Sequence, residues 1–102
     1  MSIKKTVVIA LGGNAISPKG ELGTIEEQFY HTRESLKQIM YFVRENYNIC
    51  ITHGNGPQVG DELRRNEIAA DTIPPLPLGV LVANTQGAIG YMIQQSLQNA
   101  LY

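Results

Sequence analysis

Twice in this chain an apolar, β-branched run ends abruptly in a glycine-bearing turn. Val7 to Ile16 reads VVIALGGNAI, and Cys50 to Gly60 reads CITHGNGPQVG. A strand that runs into glycines is followed each time by more regular chain, so the pattern predicts strand, turn, helix, strand, turn, helix. Thr6 to Leu11 is apolar on both faces, as in a strand buried within a parallel sheet. Asn14 to Gly23 holds Pro18, Gly20 and Gly23 and reads as a loop.

Thr24 with Glu27 three residues on has the spacing of a capping box. Phe29, Leu36, Ile39, Met40, Val43 and Tyr47 then recur at helical spacing among polar residues, which predicts a long amphipathic helix over one sheet face. Asn48 breaks it, and Asn48 to Thr52 is expected as the second strand. Pro57 suits the first position of the next helix, where no amide hydrogen is needed. That helix should turn Val59, Leu63 and Ala70 inward and pair Asp61 with Arg65 at i, i+4. DTIPPLPLG, Asp71 to Gly79, reads as an extended connection.

From Val80 to Leu101 strand propensity at Val80–Val82 competes with a helical pattern. Helix is favoured, with Ala83, Gly87 and Gly90 on one stripe and Ile89, Ile93 and Leu97 on another. The small-residue stripe suits close packing, either within the subunit or against a second one. The fold class expected is α/β, an incomplete parallel-sheet sandwich of βαβα plus a further helix, with a right-handed βαβ unit. Two parallel strands do not make a stable domain by themselves. The chain is therefore expected to be part of something longer.

Composition narrows the function classes. At 102 residues, 43% hydrophobic, 17% charged and with a formal charge of −1, nothing suggests an electrostatic grip on nucleic acid or anionic membrane. The N-terminal apolar run is too short for a membrane span or a signal peptide, so a cytoplasmic location is expected. Cys50 is expected as a small buried core residue, His53 as a hydrogen-bonded structural histidine, His31 as a solvated one and Lys19 as a surface cation. There is no GxxxxGK[ST] loop, no GxGxxG fingerprint, no zinc spacing and no serine elbow.

The two turns leave parallel strands at their carboxyl ends, where open sheets bind ligands. Gly12 and Gly13 let a ligand approach the main chain, and amides exposed there can point at anionic oxygens. Gly54, Asn55 and Gly56 do the same, with the field of the following helix N-terminus added. Phosphate or carboxylate is the ligand class expected. Asn14 and Asn55 can donate to such a ligand or cap a local turn.

VVIALGGNAI, THGNGPQVG and TQGAIGYMIQQSL together resemble the N-terminal part of the carbamate kinases, within the amino acid kinase family. That resemblance implies phosphoryl transfer between ATP and carbamate, with magnesium, usually running toward ATP in arginine catabolism. It implies a homodimer whose subunits pair a substrate lobe with a nucleotide lobe, residues 1–102 being the first part of the substrate lobe. Gly12, Gly54 and Asn55 would then serve catalysis. Gly12, Gly13, Asn14, Gly54, Asn55 and Gly56 would bind carbamate or carbamoyl phosphate. The nucleotide and Mg2+ sites would lie beyond Tyr102, so that this chain alone binds neither and is inactive.

Ala10 stands where relatives acting on acylated amino acids often place a lysine, which favours the carbamate branch. Gly79, in PLPLGV, stands where many carbamate kinases have aspartate. Two other readings remain: a family member acting on another small oxyanion, and a truncated, non-catalytic module that binds an anion or dimerises.

Overall fold

A computed structural model describes residues 3–102. In chain order it contains strand β1 (Thr6–Leu11), the one-turn helix α1 (Gly13–Ile16), helix α2 (Ile25–Arg44), strand β2 (Asn48–His53), helix α3 (Gly56–Ala69) and helix α4 (Leu78–Leu101). The strands pair in parallel, from Thr6 opposite Asn48 to Leu11 opposite His53. In that register both strands finish at the same edge, and the two glycine turns leave it side by side.

Helix α2 starts where the capping box predicts. Thr24 Oγ1 accepts from the Glu27 amide at 3.2 Å, and Glu27 Oε1 accepts from the Thr24 amide at 3.1 Å. These bonds hold the Glu27 carboxyl below its ordinary value of 4.5, the Thr24 amide contributing most and its hydroxyl next. Thr24→Ala should destabilise the fold by about 1 kcal/mol at neutral pH. A carboxyl with a depressed folded value stabilises the fold above its unfolded value of 4.5 and loses that effect as pH falls through the folded one. The gap in melting temperature between Thr24→Ala and the parent should therefore narrow on acidification below that range.

The helix stops at Arg44, three residues short of the expected Tyr47. Asn46 takes a left-handed turn at φ 61° and reverses the chain. Tyr47 still packs on the helix, edge-on to Phe42 with ring centroids 5.1 Å apart. Its helical spacing in the sequence thus reflects contact rather than helix membership.

The core gathers Leu11, Ile16, Ile89, Met92 and Ile93, with Ile9, Phe29 and Ile51 against it. Ile16 is completely buried, which explains why the expected loop at Asn14 opens with the helical turn α1 instead. Leu36 and Ile39 of α2 are also buried, each contributing roughly 1.5–3 kcal/mol of burial. Helix α4 begins at Leu78, so Val80–Val82 is helical. Its Ile89 and Ile93 are buried as expected and Leu97 half so. Ala83 and Gly87 face solvent, and Gly90 is half-buried.

Five expectations are corrected. Among the described residues the sheet is covered on one face: Leu11 is buried and Val7, Ile9, Ile49 and Ile51 are half-buried, while Val8 on the other face is 66% exposed. Cys50 lies on that bare face and is exposed rather than buried. In α3 only Gln58 is buried; Val59 is half-buried and Leu63 and Ala70 are exposed, because the face turned to the rest of the fold is that of Gln58, Glu62, Asn66 and Ala69. Arg65 pairs with Glu62, one turn back, and not with Asp61. His31 is not simply solvated, since its Nε2 lies 2.7 Å from Glu21 Oε2 in the preceding loop.

Candidate anion site at the paired glycine turns

The turns after β1 and β2 touch. A Cβ added to Gly54 would lie 3.1 Å from the Gly13 nitrogen and 3.9 Å from Gly12 Cα. A Cβ on Gly13 would lie 2.8 Å from Pro57 Cδ and 3.1 Å from the Gly56 nitrogen. Gly13 and Gly54 are therefore glycine because two main chains approach more closely than side chains allow. The Gly54 amide also donates to the Leu11 carbonyl at 2.9 Å, extending the parallel ladder by one rung into the turn.

Gly12 is different. Its φ of −69° and ψ of 153° suit any residue, and a Cβ there would meet nothing within 4 Å. Neither backbone strain nor packing calls for glycine at this position. What glycine leaves there is open space directly over the turn.

The amides of this region are unusually free. Ala15 and Ser17 donate back to the Gly12 and Gly13 carbonyls at 3.0 and 2.9 Å. Gly13 and Asn14, as the first residues of α1, have no acceptor within it. Among the described residues no side chain caps α1 or α3. Pro57 has no amide hydrogen, so the first turn of α3 presents Gly56 and Gln58 amides with the positive end of a 14-residue helix behind them.

The side chains divide the expected site residues. Asn14 is exposed at the mouth of the first turn. Asn55 is turned away: its Nδ2 donates to Thr85 Oγ1 at 3.0 Å and, at 3.5 Å, to the Val82 carbonyl. Thr85 is buried and its hydroxyl donates in turn to Val82 O at 2.9 Å. The Asn55 side chain does not cap α3; it ties the second turn to α4. His53 Nδ1 lies 3.2 Å from the Gly54 carbonyl, so Nδ1 carries the hydrogen and the ring braces the same turn.

Gln58 and Thr85 were not legible as site residues. Gln58 is 8% exposed, and its Nε2 donates to the Gly13 carbonyl in a long bond of 3.4 Å. Among the described residues its buried Oε1 has no partner. An unpaired buried acceptor of this kind disfavours folding by about 1–3 kcal/mol. Sequence carries no signal for either contact, because each depends on where α3 and α4 cross the turns.

The sequence profile of the amino acid kinase family matches residues 5–100. The chain belongs to this family. It is 48% identical over 99 residues to a carbamate kinase of Pyrococcus furiosus, an alignment covering 95% of this chain and 32% of that protein. It is 45% identical over 101 residues to a carbamate kinase-like protein of Escherichia coli, covering 97% of this chain and again 32% of the relative. Among solved structures, the carbamate kinase of Giardia lamblia bound to AMP-PNP superposes with a TM-score of 0.90 at 42% identity, over 98% of this chain and 35% of that one. As a member of the amino acid kinase family the chain thus spans about a third of the length of its curated relatives, corresponding to their N-terminal part.

Proposed function

We propose that this chain is the N-terminal part of the substrate lobe of a carbamate kinase, which transfers a phosphoryl group reversibly between ATP and carbamate. The observation that carries the reading is the meeting of the two glycine turns, with the Gly13 nitrogen 3.1 Å from the place of a Gly54 side chain. Bare amides from both turns then converge on one small volume. Phosphoryl transfer needs little covalent help and much positioning and charge stabilisation, which such amides supply. Relatives named carbamate kinase, at about half identity across nearly the whole chain, support the same reading.

In this reading Gly12 leaves room for the oxyanion, the amides of Gly13, Asn14 and Gly56 hold it, and Gly54 keeps the Gly13 nitrogen uncovered. Asn55 holds the second turn on α4 instead of touching substrate. Among the described residues no three His, Cys, Asp or Glu side chains are placed to share a metal ion. In this reading the sites of ATP and magnesium belong to the remaining two-thirds of the protein. Among the described residues no helix is long and apolar enough to cross a membrane. A cytoplasmic homodimer is part of the proposal.

The intact protein should make ATP from ADP and carbamoyl phosphate, and residues 1–102 alone should give no turnover. A coupled ATP assay checks both. The second reading, a family member acting on another small oxyanion, draws on Gly79 and on the similarity to the carbamate kinase-like protein. Measuring ADP release over a panel of small acids separates them: activity on another acid with carbamate inert overturns the first.

A further inference from the structure

We propose that Gln58 is a positioning residue that aims the Asn14 amide at the bound anion. This rests on the assignment of the paired turns as the anion site. The Gly13 carbonyl accepts from two directions, from the Ser17 amide at 2.9 Å and from Gln58 Nε2 at 3.4 Å. The Gly13–Asn14 peptide is planar and trans, so its N–H points opposite to its C=O. Held between Ser17 and Gln58, the carbonyl fixes the plane of that peptide and with it the direction of the Asn14 N–H.

Two further facts argue that this role, and not stability, accounts for a glutamine here. The residue is buried, yet among the described residues Oε1 finds no partner, so an apolar side chain of the same shape would suit the fold as well or better. Gln58 is also the buried residue of α3, and it touches the turn just where space is shortest: a Gly13 Cβ would meet its Oε1 at 3.1 Å. A buried polar group without a partner among the described residues calls for an explanation, and positioning of the turn supplies one.

The test compares the intact protein with Gln58→Met and Gln58→Glu. In Gln58→Met the melting temperature should equal or exceed that of the parent. Its kcat for ATP formation from carbamoyl phosphate should fall roughly 10- to 100-fold, as expected for a misaimed donor, with a smaller change in KM for ADP. The residual dipolar coupling of the Asn14 N–H should change, while couplings of Val7–Leu11 stay put. In Gln58→Glu a protonated carboxyl can donate to the Gly13 carbonyl and a carboxylate repels it. Activity relative to the parent should therefore rise as pH falls.

Activity loss that merely follows a loss of folded protein, or a Gln58→Met variant with parental kcat and an unchanged Asn14 coupling, overturns the proposal. If the parent itself makes no ATP from carbamoyl phosphate, the assignment of the reaction fails instead. The Asn14 coupling then still decides the role of Gln58.

Discussion

Gly12→Val in the intact protein leaves the melting temperature close to that of the parent and lowers kcat by about two to three orders of magnitude. The fold gives valine no reason to object. The backbone at residue 12 is ordinary extended chain, and its Cβ would point into open space with nothing within 4 Å. The same side chain would occupy the volume over the turn that the proposed oxyanion needs, and it would push a phosphoryl group away from the Gly13 and Asn14 amides. Thermal melting and steady-state kinetics on one preparation check the two halves together. A stable variant with normal kcat would sink the anion pocket, because glycine at 12 would then have no job that either fold or chemistry recognises.

Gly54→Val carries the larger loss and a different signature. Its Cβ would be forced to 3.1 Å from a backbone nitrogen of the neighbouring turn, which cannot give way as a flexible side chain can. Overpacking of this kind destabilises by about 1–3 kcal/mol, so the melting temperature should drop by several degrees. The new side chain also lies on the Gly13 amide itself. Turnover per folded molecule should fall by roughly a thousandfold or more, since one donor is covered and the relative placement of both turns is disturbed. Normal turnover in this variant would refute the role given to the second turn. Taken together, the two valines separate a glycine kept for packing from one kept for space.

Much of the fold was legible in advance. Hydrophobic periodicity, the Thr24–Glu27 capping box and Pro57 at a helix start placed α2, β2 and α3 within a few residues, because these are local signals with local causes. The parallel order followed from two strands joined by one helix, and with it the prediction that both turns share an edge. Local signals failed where a distant element decided the outcome. Ile16 formed a helical turn because the core drew it in. Val8 and Cys50 were read as buried from an apolar run, yet the described residues place no helix on their side of the sheet. Asp61 lost Arg65 to Glu62 because i, i+3 and i, i+4 neighbours compete on equal terms.

The candidate site shows the same division. Glycine pairs at the ends of two apolar runs announce main chain open to a ligand, and Gly12, Gly13, Gly54 and Gly56 could be named from that alone. Their individual reasons could not. Only the crossing of α3 and α4 over the turns showed that Asn55 faces Thr85, that Gln58 reaches the Gly13 carbonyl, and that the space above Gly12 stays empty.

Sequence by itself determined the order of elements, the parallel pair and the kinship with the amino acid kinases, since each is written in short-range spacing or in motifs. Tertiary structure alone decided which glycine is required by contact, which asparagine is already bonded, and which face of the sheet is bare. Those are properties of atoms brought together from residues thirty or more positions apart, as Asn55 and Thr85 are, and one-dimensional patterns hold no record of such distances.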